Sequence, residues 1–377
     1  MSGFSPPTYP YERLSPLRAV AASLAGGAVD LSVGTPCDPP SRAVLASLAA
    51  GDDDGAVRGY PPSAGTAAAR QAAAQWMAWR LGVDVPAGAV ALCIGTKELV
   101  AGLPTWLHLR DPSRDTVLYP ALAYPTYEMG ALLAGLRAVA VPVGDGFRLR
   151  LEDVKSSDAE RALLLWVNSP GNPAGQMEEL AEVAAWGRER QVLVVSDECY
   201  AELTWSGPPR SILSYGAGPS GLEGVLAVHS LSKRSNLAGL RFGSYAGDPS
   251  VVSYVRDVRQ HAGLMVPGVV QRAGIAALGD RDHAMSQRDA YRLRLLRLRS
   301  ILSSIDVEAP MPEGGLYLWA QAPRGDAWAL ASRLAKDAGL VVSPGEFYGE
   351  AGRSYVRVAA VAPMERIELV ARRLGAH

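Results

Sequence analysis

Ala162-Leu163-Leu164-Leu165-Trp166-Val167 runs without a break into Asn168-Ser169-Pro170-Gly171-Asn172-Pro173. A continuous apolar run of this length, in place of an alternating one, is what a strand buried on both faces requires. The pattern recurs at Val90 to Ile94, Thr116 to Tyr119, Ala138 to Val143, Val192 to Val195 and Gly224 to Val228. Between these runs lie amphipathic stretches such as Glu178 to Arg190, which sets Leu180, Val183, Ala184 and Trp186 on one helical face. Strand and helix in alternation predict an α/β fold, with a largely parallel sheet covered by helices on both sides. After about residue 270 the pattern changes. Arg288 to Ile305 reads as one long helix, and only Leu316 to Ala320, Leu340 to Val342 and Tyr355 to Ala359 look strand-like, so a smaller α+β domain is expected there. The expected organisation is an N-terminal segment over 1–40 that packs with the small domain, a large domain over 41–270 and a small domain over 271–377.

Composition bounds the function. The 377 residues carry 37 Lys+Arg against 38 Asp+Glu, and 48% are hydrophobic, as expected of a well-cored globular chain of two domains. A formal charge of −1 offers no electrostatic footprint for nucleic acid or an anionic membrane surface. No apolar run approaches the roughly 18 residues of a membrane span, and the N-terminus does not read as a secretion signal. Cys37, Cys93 and Cys199 are too scattered for a disulfide framework, which fits the cytoplasm. The five histidines stand far apart without an HExxH pair, so no metal is expected.

Polar residues gather where the apolar runs end. Val192 to Val195 leads into Ser196-Asp197-Glu198-Cys199-Tyr200, and Gly224 to Val228 into His229-Ser230-Leu231-Ser232-Lys233. In open α/β sheets the ligand crevice lies at the carboxyl ends of the strands. Lys233 is one of only four lysines, with Lys97, Lys155 and Lys336, in a chain that draws nearly all its positive charge from arginine. A primary amine forms a Schiff base and a guanidinium does not. Ser230, Ser232 and Arg241 offer two hydroxyls and a bidentate fork to an anion, and Gly95-Thr96-Lys97 opens a helix whose N–H groups suit a phosphate. Asp197, directly after a buried strand, reads as a helix cap, an ion pair with an arginine, or a carboxylate holding a proton on a heteroaromatic nitrogen. Tyr200 and Asn172 could each donate a hydrogen bond to a ring oxygen, although Asn-Pro is first a turn signal.

These residues mark a resemblance to the pyridoxal-phosphate aminotransferases of fold type I, class I/II, over nearly the full length. VGTPCDPP at Val33, RGYPPSAGT at Arg58, IGTKE at Ile94, YPALAYPTY at Tyr119, NSPGNPAG at Asn168, SDECY at Ser196, HSLSKRSNLAGLR at His229, EGGLYLW at Glu313 and YVRVA at Tyr355 carry it. The resemblance implies a mostly parallel seven-stranded sheet in the large domain, pyridoxal 5'-phosphate as cofactor and a homodimer. It further implies that Lys233 forms the Schiff base, that Asp197 pairs with the pyridine nitrogen, and that Tyr200 and Asn172 contact the ring hydroxyl. Tyr124 would stack on the ring. Gly95, Thr96, Lys97, Ser230, Ser232 and Arg241 would surround the phosphate, with Tyr60 reaching it from the neighbouring subunit. Arg357 would grip the substrate α-carboxylate, helped by Asn172 and the backbone at Gly34. The implied activity is ping-pong transamination between an amino acid and a 2-oxo acid.

Within the family, DLSVGTP, GYPPSAGTAAAR and SPGEFYG look most like succinyldiaminopimelate aminotransferases, which would use 2-oxoglutarate. Ala174 and Leu240 depart from that pattern. A rival reading is elimination, γ-replacement or carbon–carbon bond formation in specialised metabolism, because fold and cofactor do not set reaction class. A ligand sensor that binds the cofactor without turnover would need an added DNA-binding domain, for which the chain has neither spare length nor a basic patch.

Overall fold

The computed structural model describes residues 4–52 and 54–376. Contacts divide the chain into two units. The larger, Pro36–Ala290 with Glu313–Gly315, is built on one sheet of seven strands: β1 Val90–Cys93, β2 Thr116–Pro120, β3 Arg137–Val141, β4 Ala162–Asn168, β5 Leu193–Asp197, β6 Val225–Ser230 and β7 Gly243–Gly247. Their order is β1-β7-β6-β5-β4-β2-β3. β7 runs antiparallel to both neighbours and every other pairing is parallel. All seven residues of β4 are buried, as its unbroken apolar run requires.

Two strands differ from the sequence reading. β3 lies at the sheet edge with Arg137 and Ala140 exposed, so its apolar run does not mean burial on both faces. β7 is Gly-Ser-Tyr-Ala-Gly and has no apolar run at all. Its glycines are required by close approach: a Cβ on Gly243 would come within 2.8 Å of Cys93 Sγ, and one on Gly247 would overlap the Val225 carbonyl oxygen.

Helices cover the sheet. Those used below are α1 Ala67–Leu81, α2 Thr96–Arg110, α3 Thr126–Leu133, α4 Leu180–Arg190, α5 Leu231–Arg234 and α6 Gly268–Gly279. Thr66 caps α1 by accepting from Ala69 N at 3.2 Å, and Gly82 at φ +68° closes it. A boundary at residue 270 would detach α6 from this unit. α6 packs on α1 and on the helix Arg42–Ala49, and Arg272 caps the carboxyl end of the latter by donating to the Ser47 and Ala50 carbonyls. Glu313–Gly315 also belongs here, because Glu313 accepts from Arg148 Nη2 at 2.7 Å and from the Met177 N–H at 2.8 Å.

The smaller unit comprises the described residues up to Thr35, Tyr291–Pro312 and the chain from Leu316 onward. Its antiparallel sheet joins β8 Tyr317–Gln321, β9 Ser343–Pro344 and β10 Tyr355–Ala359, with β10 in the middle. Val29–Asp30 pairs in parallel with Leu340–Val341, which ties the N-terminal segment into this unit. That segment also forms a helix, Ser15–Ala22. No described helix is long and apolar enough to cross a membrane.

Candidate active site

Sheet register gathers most of the expected residues along one edge of the larger unit. Asn168, Asp197 and Val228 are direct neighbours on β4, β5 and β6, and Ser230, Gly243 and Cys93 are neighbours on β6, β7 and β1. The turns leaving β1, β4, β5 and β6 therefore all open at the carboxyl end of the parallel strands.

The β4 turn is held by Asn168, whose side-chain amide donates to the Asp197 carbonyl at 2.7 Å and whose Oδ1 accepts from Asn172 N at 2.7 Å. This latch places Asn172, 7% exposed, beside the end of β5. Asp197 is itself buried, its Oδ2 accepting from the Tyr127 hydroxyl at 2.8 Å and its Oδ1 from the Cys199 N–H at 3.1 Å. Burial pushes its carboxyl above the ordinary value, and the bonds from Cys199 and Tyr127 pull it back without cancelling that rise. Tyr127 stacks on Trp166, ring centroids 5.1 Å apart, and meets Tyr124 edge-on at 5.9 Å. The Cys199 thiol donates to Thr96 Oγ1 at 3.3 Å, tying the start of α2 to the turn that carries the buried Tyr200.

Gly95 has φ +72° and leads directly into Thr96 and the exposed Lys97. A Cβ there would overlap the Arg241 guanidinium, so open backbone faces that fork. At the end of β6, Ser230 Oγ accepts from Ser232 N at 3.1 Å and donates to Ser232 Oγ at 2.9 Å, starting α5, the four-residue helix on which Lys233 stands. Helix N-termini, two hydroxyls and a guanidinium form a donor set that fits a phosphate. A buried carboxylate held by a hydroxyl and a backbone N–H fits a protonated ring nitrogen. On both counts the residues present suit pyridoxal phosphate.

Tyr60 is almost wholly exposed, at 97%. Gly34 and Arg357 belong to the smaller unit. There Arg357, 2% exposed, donates to the Ser32 carbonyl at 2.6 Å and lies over the rings of Tyr317 and Tyr348 at 4.1 and 4.7 Å. Gly34 has no room for a Cβ because the Tyr317 hydroxyl fills that space.

Sequence reasoning missed three groups. Tyr127 sits inside a quoted motif, yet no local signal points it at Asp197. Glu202 and Arg234 form a buried ion pair at 2.9 Å, although neither stood out from the chain's many charges. Glu198 holds His229 Nε2 at 2.8 Å, and both are buried.

The class I and II aminotransferase family matches residues 27–374. The 4-dedimethylamino-4-oxo-anhydrotetracycline transaminase OxyQ of Streptomyces rimosus is 44% identical over 98% of this chain and 99% of its own. An LL-diaminopimelate aminotransferase of Desulforudis audaxviator is 34% identical over 96% and 93%. Neither bears the name of the succinyldiaminopimelate enzymes that the motifs resemble. Among solved structures, an aminotransferase of Neisseria meningitidis superposes with a TM-score of 0.88 at 28% identity, over 98% of this chain and 97% of that one. With matching motifs, a matching sheet and relatives of this identity over almost the whole length, the chain belongs to the class I and II aminotransferases, pyridoxal-phosphate-dependent enzymes of fold type I.

Proposed function

We propose that Lys233 is the catalytic amine of a ping-pong transamination between an amino acid and a 2-oxo acid. The observation that carries this reading is the placement of Lys233. This rare lysine stands on a capped helix turn at the end of β6, and the neighbouring strand ends in Asp197, a buried carboxylate that accepts from a tyrosine hydroxyl and a backbone N–H. When bound, pyridoxal phosphate supplies an electron sink for the pair left at the substrate Cα.

In this reading the chain's own residues bind, orient and move protons. Lys233 Nζ would hold the cofactor aldehyde until the substrate amine displaces it, and the freed amine would then take the Cα proton and carry it as the general acid–base of the site. Asp197 holds the proton on the ring nitrogen. Tyr200 and Asn172 donate to the ring hydroxyl oxygen, and Tyr124 packs on the ring face. Gly95, Thr96, Lys97, Ser230, Ser232 and Arg241 hold the phosphate. Arg357 takes the α-carboxylate as a bidentate pair, with Asn172 and the Gly34 backbone. The nearly full exposure of Tyr60, with Val57 at 68%, supports its assignment to the phosphate of a second copy in a homodimer. Three cysteines, too scattered for a disulfide framework, support a cytoplasmic setting.

N-succinyl-diaminopimelate with 2-oxoglutarate is the first substrate pair to test, on the motif resemblance. The 44% relative, whose name gives an oxo-anhydrotetracycline as substrate, favours a polycyclic ketone as the second. Lys233→Ala is expected to abolish the visible absorption band of the bound cofactor and all turnover, with circular dichroism unchanged. An unaltered band in that variant overturns the assignment.

A further inference from the structure

Lys233 stands on a helix of only four residues, too short to hold its own shape. Its orientation must come from what grips its ends. At the start, Ser230 caps it. At the far end Arg234, 3% exposed, donates through Nε to Glu202 Oε1 at 2.9 Å and through Nη1 to the Ala277 carbonyl of α6 at 2.8 Å. Glu202 is 5% exposed and also accepts from Trp76 Nε1 at 2.7 Å and from Arg80 Nε at 2.6 Å, both on α1. Arg80 Nη2 donates to the backbone carbonyl of Glu202 at 3.2 Å as well. One carboxylate thus accepts three side-chain donors from two helices, and it belongs to the segment 197–202 that carries Asp197 and Tyr200.

We propose that Glu202 is a positioning residue that, through Arg234, sets the separation between the Lys233 amine and the Asp197–Tyr200 segment. This rests on the cofactor reading above. Lys233 and Asp197 would engage opposite sides of one rigid ring, so their spacing must match that ring. A planar guanidinium held at two points transmits position better than a flexible ammonium does. Two cations share this one buried carboxylate, so removing its charge leaves both without that partner.

The test uses the full chain loaded with pyridoxal phosphate, comparing Glu202→Gln with the unaltered protein. The substituted amide keeps an acceptor for Trp76 but loses the charge that holds two guanidiniums. We expect the visible cofactor band to weaken or shift, the cofactor to leave on dialysis about tenfold faster, and kcat to fall about 10–100-fold with little change in KM, on the scale of misplacing a reacting group. Trp76→Phe, which removes one hydrogen bond to the carboxylate but spares both ion pairs, should change each of these quantities less than Glu202→Gln does. If Glu202→Gln does not fold, Arg234→Lys takes its place and should move the band and the release rate in the same direction. A folded Glu202→Gln or Arg234→Lys with unchanged band, release and kcat overturns the proposal while leaving the cofactor reading intact. An unaltered protein that shows no lysine-linked cofactor overturns both.

Discussion

Asp197 and Glu202 lie five residues apart in one segment, are nearly equally buried at 7% and 5%, and behave oppositely. Burial pushes the Asp197 carboxyl up, and its donors, a tyrosine hydroxyl and a backbone N–H, are too weak to bring it back. Burial pushes Glu202 up as well, but the Arg234 guanidinium, with Trp76 and Arg80, outweighs it and leaves that carboxyl below its ordinary value. Burial therefore sets what ionisation costs, and the charge of the partner decides which way the carboxyl shifts. Glu202 has its cations built in. Asp197 is held by neutral donors, which suits a carboxylate whose cation arrives with the cofactor.

The largest effect is expected at Asp197. Asp197→Asn keeps the shape and removes the charge, and turnover is expected to fall about 10²–10³-fold, the scale of losing one preorganised electrostatic partner. Steady-state transamination at saturating cofactor measures this, and a near-normal rate would remove Asp197 from the ring-nitrogen role.

Glu178 sharpens the rule, because it is 2% exposed and its carboxylate accepts from Leu149 N and Gln176 Nε2, both neutral. Burial, only partly offset by these bonds and by nearby Arg148, pushes its carboxyl from 4.5 to about 7. A raised carboxyl holds its proton longer in the folded state than in the unfolded one. Stability from this group is therefore full below about 4.5 and lost as the pH climbs towards 7. Glu178→Gln should be more stable than the unaltered protein at about pH 8 by up to about 2–3 kcal/mol and should gain nothing at about pH 4. Thermal unfolding at the two pH values reads the difference, and an equal shift at both would refute it.

The smallest expected effect is that of Tyr127→Phe, which removes one donor to Asp197 and leaves the stack on Trp166 in place. A hydrogen bond to a charged group is worth about 1.5 kcal/mol or more, so the thermal midpoint should fall modestly and kcat by at most about tenfold, the limit reached if the bond acts only in the transition state. A large loss of stability with full activity would make Tyr127 purely structural.

Much of this architecture was legible locally. β4 and β5 could be read because burial on both faces leaves a continuous apolar run, and Lys233 because an amine stood out among arginines at a strand end. β7 could not be read, since its small residues answer to Cys93 and Val225 far along the chain and carry no period of their own. The edge position of β3 was hidden for a related reason: an apolar run does not say how many neighbours the strand will have. Tyr127 and Glu202 each owe their partners to pairings 70 and 32 residues away in sequence. The substrate was out of reach too, since the motifs pointed to succinylated diaminopimelate and the two relatives described above are named for other compounds.

The class of fold, the family and the candidate amine follow from short segments, because strand burial, helix amphipathicity and chemical type are local properties. Which buried carboxylate has a cation beside it and which has neutral donors depends instead on what the folded chain brings within hydrogen-bonding distance.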